Sequence, residues 1–370
     1  IWIKDFNKKS SYKNSIFICG QTKKLGDLIQ KENYLNLKFK KKTLKSRNIS
    51  YVDEFIKINS KHNFKLIEIH NRPSYLLHLI KKKLNSKYVL IFHNNPLNLS
   101  GSKSIKERNF LISKCEKLIF VSNWVKERFF EGFEKKNHYK CIVIYPSINP
   151  IKEFPKKNNI ISFVGKLNRS KGFHVFGKAI VRILNRYKNW KSIVVGDEPR
   201  EKYNYKHNNL EYKGWLSHHK TLELYKDTSI SVAPSSWEEP FGRTAMEASS
   251  RGCATIISKR GGLVETVADA IYLPKLTEKE LYNKIKYLIE NKKQRLEIQK
   301  KSFMNVLHKL DLNTKKIDNY RDNIINKFSL AFVKKRNLKI LHISNFGNRL
   351  YNRLYFISIA KKLTNGFIRL

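Results

Sequence analysis

Residues 235–265, SSWEEPFGRTAMEASSRGCATIISKRGGLVE, decide the fold that this chain is expected to adopt. The apolar run at residues 229–234 leads into this stretch and is typical of a buried strand. Within the stretch, residues 244–250 are predicted to form a short helix that stops at a glycine, and residues 254–257 the next strand. Two successive strand–loop–helix units with glycine at the turns indicate a parallel α/β sheet, whose ligands bind beyond the strand ends.

Two carboxylates in this stretch are candidates for ligand binding. Glu239 lies in the predicted loop, and Glu247 follows eight residues later in the predicted helix. A carboxylate can accept hydrogen bonds from two neighbouring sugar hydroxyls, while the free amides of a helix N-terminus attract phosphate. An ordinary surface helix with an acidic start is the alternative, because glutamate is favoured in first turns. The combination of Glu-Pro-Phe-Gly at residues 239–242, Glu247 and the glycine pair at residues 261–262 favours a site for a ligand that carries both sugar hydroxyls and phosphate.

This stretch resembles the donor-sugar motif of retaining glycosyltransferases with the GT-B fold, the group 1 or family 4 class. Glu239 and Glu247 match the Glu-x7-Glu signature of that family. The family's other motif positions are matched by Pro240, Phe241 and Gly242 and, in its Gly-Gly-x-x-Glu turn, by Gly261, Gly262 and Glu265. The resemblance implies an α/β chain of GT-B architecture, with two facing Rossmann-like, doubly wound domains. It also implies donor binding by Phe241, Gly242, Glu247, Gly261 and Gly262, with Glu239 in a catalytic role.

A second motif follows the strand predicted at residues 160–164. Residues 165–172, GKLNRSKG, resemble the family's donor-phosphate motif Gly-Arg-Leu-x-x-x-Lys-Gly, which implies donor binding by Gly165, Lys166 and Lys171 and a catalytic role for Lys171. Lys166 stands where the family usually has arginine, so a point charge replaces a bidentate fork. Gly196, at the end of the next predicted strand, is also expected at the donor site. A solvated loop is the alternative, since the whole chain is rich in lysine.

Polar side chains end two predicted strands in the first half of the chain. His93 ends the strand at residues 88–93, where the family places a histidine that faces the donor sugar. The resemblance therefore implies a catalytic role for His93. His70 and Asn71 end the neighbouring strand and are expected to line the acceptor side. The alternative for His93 is a strand-end histidine satisfied by the backbone.

Strands alternate with helical stretches along most of the chain, as in doubly wound sheets. An N-terminal, acceptor-side domain is expected at residues 1–152 and a nucleotide-sugar donor domain at 153–310, with a linker at 152–159. A helix at 311–328 is expected to return to the first domain.

The two ends of the chain depart from the family pattern. In the family, a first strand and a Gly-rich loop would precede the segment that begins at residue 1 here. Because this sequence lacks both, a fragment is expected. Residues 338–370, with a strand predicted at 338–346 and a helix at 355–363, are expected to begin a second glycosyltransferase module. The alternative is an appendage that docks on this same module, where the 338–346 strand has the right pattern to fill the vacant strand position.

The composition restricts the class of protein. The formal net charge is +45 over 370 residues, but the lysines are spread along the chain, which argues against a specific nucleic-acid partner. Attraction to anionic membranes or acidic glycans is left open.

Four separated cysteines make no metal-ligand spacing and are typical of reduced thiols in a cytosolic protein. No metal or cofactor is expected, and no apolar run approaches the ~20 residues of a membrane span. A cytoplasmic location is expected, with a peripheral position at the inner membrane face left open.

The expected activity is transfer of a hexose from a nucleotide-sugar, a co-substrate, to a hydroxyl of a glycan or lipid-linked acceptor, with retention. Surface glycan or lipopolysaccharide-type synthesis is the setting that the resemblance implies. Two alternatives stay open. One is a non-hydrolysing sugar-nucleotide epimerase of the same fold, and the other is a catalytically inactive basic protein that binds RNA or membranes.

Overall fold

The computed structural model describes residues 2–21, 33–37, 46–326 and 340–344. The helices in these residues are α1 Trp2–Lys9, α2 Arg47–His62, α3 Pro73–Lys81, α4 Ile105–Lys114, α5 Asn123–Phe129, α6 Phe173–Arg186, α7 His218–Asp227, α8 Arg243–Ser249, α9 Glu278–Glu290, α10 Lys292–Met304 and α11 Leu310–Asn326. Short 3₁₀ helices are found at Pro96–Asn98, Arg169–Lys171 and Gly262–Glu265. The strands are β1 Ile16–Gly20, β2 Tyr34–Asn36, β3 Leu66–His70, β4 Lys87–Phe92, β5 Lys117–Phe120, β6 Cys141–Val143, β7 Asn158–Val164, β8 Lys191–Val195, β9 Leu210–Tyr212, β10 Thr228–Ala233, β11 Ala254–Ser258, β12 Ala270–Leu273 and β13 Ile340–Ser344.

The described residues form two compact units. The first unit takes its residues from Ile1–Ser10, Phe92–Pro96 and Ile119–Asn319, and the second from Ser11–Ile91, Leu97–Leu118 and Tyr320–Leu370. The domain limits expected from the sequence stay predictions.

In the second unit, five strands are hydrogen-bonded in the order β2-β1-β13-β3-β4, and each neighbouring pair is parallel. The strand predicted at residues 338–346 is observed at Ile340–Ser344, where it pairs with β1 on one side and β3 on the other. It therefore occupies a central strand position in this unit, as one of the alternatives for this segment predicted. The helix predicted at residues 355–363 lies outside the described residues.

The first unit contains a six-stranded parallel sheet in the order β12-β11-β10-β7-β8-β9. From β7 the chain winds outward to β8 and β9, returns to β10 on the other side of β7, and continues to β11 and β12. The direction of winding thus reverses between β7 and β10. In open α/β sheets, ligands bind outside the carboxyl ends of the strands at this reversal. The linker expected at residues 152–159 ends sooner than predicted, because β7 already begins at Asn158.

Helices cover both faces of this sheet. Alternate residues of a strand point to opposite faces, and Phe163 belongs to the apolar cluster formed with α6 and α9 while Val164 packs on a separate cluster. On α6, Phe176, Ile180 and Ile183 are fully buried at helical spacing, which is the apolar stripe that fixes this helix on the sheet. The separate cluster contains Tyr225, Ala248 and Cys253, from α7, α8 and the turn that follows α8.

A buried ion pair lies in the second unit. The guanidinium of Arg321 donates from Nε to Oε1 and from Nη2 to Oε2 of Glu68, at 2.9 Å each, and both side chains are fully buried. Tyr320 also donates its hydroxyl to Glu68. Because neither charge can reach water, each is compensated by the opposite charge of the other. The pair therefore fixes α11 against β3.

Removal of one partner tests this contact. Arg321→Ala leaves the Glu68 carboxylate buried without its charge partner, so the unfolding free energy is expected to fall by about 3–5 kcal/mol. Urea unfolding measures this change. Arg182→Ala is the matched control, because Arg182 pairs with Glu278 at the exposed surface and should cost less than about 1 kcal/mol. Equal small losses in the two variants would contradict the role given to the buried pair.

Candidate active site

Two loops flank the reversal point of the six-stranded sheet. One follows β7 and contains residues 165–172, and the other follows β10 and contains residues 234–242. Because β7 and β10 are parallel neighbours, both loops leave the same edge of the sheet. This is the position where doubly wound sheets bind ligands.

The loop after β7 is fixed by its own side chains and by a glycine. The carboxamide oxygen of Asn168 accepts hydrogen bonds from the Lys171 backbone N–H at 3.0 Å and from the Ser170 hydroxyl at 2.9 Å. Gly172 has φ +72°, and a Cβ atom there would lie 1.7 Å from the Pro234 carbonyl oxygen. Glycine is therefore required where the two loops meet, and this turn directs Lys171 to the second loop.

Glu239 and Lys171 form an ion pair between the two loops. Lys171 Nζ lies 2.5 Å from Glu239 Oε1, and the Ser235 hydroxyl donates to the same oxygen at 2.6 Å. The Glu239 side chain is buried, whereas about a third of the Lys171 side chain is exposed. Lys171 Nζ also lies 5.9 Å from the centre of the Trp237 ring. The structure thus brings together two of the three residues predicted to be catalytic.

A third loop binds the backbone of Glu239. The Gly262 N–H donates to the Glu239 carbonyl oxygen at 2.7 Å. Gly261 has φ +55°, and a Cβ atom there would lie 2.3 Å from that same oxygen. The predicted glycine pair therefore allows the loop after β11 to approach the Glu239 loop at backbone distance.

Phe241 and Gly242 connect the Glu239 loop to α8. The Phe241 ring is buried and lies 6.0 Å from the Tyr145 ring and 5.4 Å from the His308 ring, centre to centre. Gly242 has φ +101° at the start of α8. The side chain of Phe241 therefore belongs to the protein interior, and only the backbone of these two residues is placed to contact a ligand.

Glu247 is held by two side chains that the sequence did not single out. Arg243 Nε donates to Glu247 Oε1 at 3.1 Å, and His218 Nε2 lies 3.0 Å from the same oxygen. The residue is only 4% exposed. Burial by itself raises the pKa of this carboxyl, but the His218 hydrogen bond and the Arg243 charge outweigh burial, and the net pKa is lowered. Glu247 is therefore an anion held in place at neutral pH.

Gly165 and Gly196 are in backbone contact at the ends of β7 and β8. Gly196 has φ +130°, and a Cβ atom there would lie 1.8 Å from the Gly165 carbonyl oxygen.

The half-buried Lys166 contributes to the electrostatic field at Glu198. Glu198 was not predicted as a site residue, yet it is buried and accepts two hydrogen bonds of 2.6 Å from Arg200. The Arg200 hydrogen bonds lower the pKa of Glu198 to about 2, against the effect of burial.

The predicted residues of the first half of the chain lie in different units. His93 directly follows β4 and belongs to the first unit, with the donor-motif residues. Burial, together with the charge of Arg243, lowers the pKa of His93 to about 3. His70 and Asn71 end β3 in the second unit, where Asn71 adopts φ +57°. The roles predicted for all three residues stay predictions.

Comparison with known proteins identifies the part of the chain that carries this site. Residues 146–303 match the family model described as "Glycosyl transferases group 1". These residues form a group 1 glycosyltransferase domain. The matched region contains the Lys171–Glu239 pair, Glu247 and the Gly261–Gly262 turn, whereas His70, Asn71 and His93 lie outside it.

Curated relatives match about half of the chain. Spore coat protein SA of Bacillus subtilis is 23% identical over 241 residues, which are 56% of this chain and 63% of that protein. An uncharacterized glycosyltransferase of Methanocaldococcus jannaschii is 28% identical over 213 residues, 49% of this chain and 53% of that protein. The chain thus spans less than two thirds of the length of each.

Solved structures share the fold over a larger part of the chain. A glycosyltransferase from Rickettsia africae superposes with a TM-score of 0.70 at 20% identity, over 87% of this chain and 95% of that one. The Anabaena protein HepE, solved with UDP and glucose, superposes with a TM-score of 0.66 at 16% identity, over 83% and 99%. These neighbours have the GT-B fold, which confirms the predicted fold class. None of the helices described is both long and apolar enough to span a bilayer.

The last motif residue of the glycosyltransferase domain, Glu265, has contacts that explain its place in the turn. Its carboxylate accepts hydrogen bonds from the backbone N–H groups of Asn123 and Trp124 at 2.8 and 2.9 Å, and from the Tyr145 hydroxyl at 3.0 Å. Glu265 therefore satisfies free amides at the start of α5 and fixes the end of the glycine turn. The sequence marked this residue through the motif but gave no sign of these partners.

The lowered pKa of Glu247 makes a prediction about stability. A carboxyl whose folded-state pKa lies below its ordinary value of 4.5 stabilises the fold above that value, and this contribution disappears as the pH falls through the folded-state pKa. Glu247→Gln is therefore expected to lower the unfolding free energy at pH 7 by about 1–3 kcal/mol. The difference from the wild type should shrink below about pH 4.5.

Urea unfolding of both proteins over a series of pH values measures this difference. Glu153→Gln, at an exposed glutamate, is the control and should match the wild type throughout. A deficit of Glu247→Gln that stays constant down to about pH 3 would show that the carboxylate charge is not what Arg243 and His218 stabilise.

Proposed function

We propose that this protein transfers a sugar from a nucleotide-sugar donor to a hydroxyl of an acceptor, with retention at the anomeric carbon. The observation that carries the proposal is the Lys171–Glu239 pair at the reversal point of the sheet, inside a group 1 glycosyltransferase domain. A cation and a carboxylate side by side suit a donor that presents a diphosphate next to sugar hydroxyls.

The donor diphosphate is assigned to Lys171, Lys166 and the start of α6. The free N–H groups at the N-terminus of a helix attract phosphate, and α6 begins directly after Gly172. The reaction separates a sugar with oxocarbenium character from a diphosphate, so fixed positive charge on the leaving group lowers the barrier. With the lysines in this role, the proposal calls for no metal ion and no further cofactor.

The donor sugar is assigned to Glu239 and to the backbone of Phe241, Gly242, Gly261 and Gly262. In the structure Lys171 occupies one oxygen of Glu239. Binding of a diphosphate would draw Lys171 toward phosphate, and the sugar hydroxyls would then donate to the carboxylate in its place. Donor binding therefore exchanges one charged hydrogen bond for others, without leaving a buried charge unpaired.

Glu247 is assigned to the ribose of the donor, and His93 to its sugar. Both contacts of Glu247 described above go to Oε1, and we assign Oε2 to the ribose hydroxyls. His93, with its pKa lowered to about 3 by burial and by the Arg243 charge, is a neutral imidazole at physiological pH. It suits a hydrogen bond to the donor sugar better than proton transfer.

We assign His70 and Asn71 to the acceptor side, and a glycan or a lipid-linked sugar as the acceptor, in surface polysaccharide synthesis. The high net charge supports work at the inner face of an anionic membrane.

A ligand screen followed by an acceptor assay tests the function. Because HepE was solved with UDP and glucose, UDP and UDP-sugars head a thermal-shift screen of nucleoside diphosphates and their sugars. The donor found is then incubated with candidate acceptors, and release of the nucleoside diphosphate is measured. Release that depends on an acceptor supports sugar transfer. Conversion of the donor sugar without an acceptor would show an epimerase instead, and salt-sensitive RNA binding without donor binding would show the basic binding protein.

Substitutions of the two lysines separate their roles. Lys171→Ala is expected to raise the activation free energy by about 2–4 kcal/mol, because one electrostatic contact to the leaving group is lost. This corresponds to a kcat/KM that is roughly 30- to 1000-fold lower. Lys166→Arg should keep or raise kcat/KM, because arginine offers phosphate a bidentate fork. Lys178→Ala, at an exposed lysine of α6, is the control. If Lys171→Ala turns over like this control, Lys171 has no part in the chemistry.

A further inference from the structure

An open cavity of about 510 Å³ lies in the first unit, and Glu265, which ends the turn that begins with Gly261 and Gly262, lines one side of it. Four exposed residues at its edge, Leu307, Lys309, Leu312 and Lys316, define what we call the 307–316 surface. Tyr145 and the buried His308 also line the cavity, and their rings are stacked at 4.2 Å. The surface thus alternates leucine and lysine around an aromatic floor.

The leucines of the 307–316 surface are unusually exposed. Leu307 is 50% and Leu312 57% exposed, and Met304, which ends α10, is 65% exposed. Among the described residues, no other large non-aromatic hydrophobic side chain is half exposed. Single exposed apolar side chains are common on protein surfaces, but one methionine and two leucines exposed within nine residues indicate a surface that contacts something apolar.

The charges of the 307–316 surface are positive. Lys309 and Lys316 make no ion pair with the part of the chain that the structure describes, whereas the nearby Asp311 pairs with Lys9 at 3.4 Å. Burial, a stronger effect than the nearby charges, lowers the pKa of His308, so this ring is neutral at physiological pH. Glu265, which also lines the cavity, already accepts three hydrogen bonds. The lysines therefore set the sign of the field at the cavity edge.

We propose that the 307–316 surface docks on an anionic lipid bilayer. Leu307 and Leu312 enter the headgroup region, and Lys309 and Lys316 contact lipid phosphates. Apolar side chains next to lysines are the combination that binds peripheral proteins to such membranes. The binding free energy gained by burial of the apolar side chains adds to that gained by attraction of the lysines to anionic lipids. The net charge of +45 attracts the protein to the bilayer from any side, and the exposed leucines select this surface. The proposal does not depend on the glycosyltransferase activity.

Vesicle flotation tests whether Lys309 and Lys316 contribute to membrane binding. The vesicles consist of phosphatidylcholine with about one third phosphatidylglycerol, an anionic lipid. Lys309→Gln/Lys316→Gln should bind roughly 30-fold more weakly than the wild type, because each lysine contributes about fivefold. Lys188→Gln/Lys191→Gln removes the same charge at two exposed lysines elsewhere and should stay within about twofold of the wild type.

The contribution of Leu307 and Leu312 to membrane binding is tested in the same assay at about 0.5 M salt, where charge attraction is strongly screened. Leu307→Ser/Leu312→Ser should lose the binding that remains, while Leu77→Ser, at an exposed leucine of α3, should keep it. Thermal unfolding of all variants should match the wild type, since every substituted side chain is exposed. Equal losses in the two lysine pairs would show attraction by net charge alone and overturn the proposal. Wild-type binding by the leucine double variant would overturn it as well.

Discussion

Glu239 is the residue on which the arrangement of the loops after β7, β10 and β11 depends. Its carboxylate binds Lys171 from the loop after β7 and Ser235 from its own loop, and its carbonyl oxygen binds Gly262 from the loop after β11. The loops that follow three neighbouring strands of the sheet, β7, β10 and β11, are therefore joined at one residue. Because Glu239 is buried, loss of these contacts would leave a charge in the interior, which is far more costly than loss of a surface ion pair. In the proposed reaction, the contacts with Ser235 and Gly262 keep Glu239 in place while Lys171 moves toward the phosphate.

Much of the fold could be predicted from local pattern. The strands predicted at residues 160–164 and 254–257 are found at Asn158–Val164 and Ala254–Ser258, because each contains a visible apolar run. The helix predicted at residues 244–250 is found at Arg243–Ser249, because a glycine marks its end. The helix Arg47–His62 was not predicted, although Ser46 caps it and Tyr51, Phe55 and Asn59 are buried at helical spacing. The position of Ile340–Ser344 between β1 and β3 could only be one of several alternatives, since pairing between distant strands leaves no local signal.

The site was predictable in its residues but less so in its contacts. The spacing of Glu239, Glu247 and the glycine pair marked the loops after β10 and β11, which the structure brings into contact. The 68-residue separation between Lys171 and Glu239 hides their ion pair, and the 29-residue separation between His218 and Glu247 hides that contact as well. Arg243 could have been noticed, because it lies four residues before Glu247 on one helix, where opposite charges meet. Glu198 carried no sequence signal, since its burial depends on how the loop after β8 folds.

The central claim is that Glu239 couples recognition of the donor sugar to that of the diphosphate through Lys171. Calorimetric titration of the nucleoside diphosphate and its sugar-bearing form, with the wild type and with Glu239→Gln, tests this claim most directly. The substitution releases Lys171 without leaving a cavity, so affinity for the nucleoside diphosphate should be kept or increased. The additional affinity that the sugar brings should fall, because an amide is a weaker acceptor than a carboxylate. If Glu239→Gln binds both ligands with wild-type affinities, Glu239 holds the loops together but does not recognise the donor.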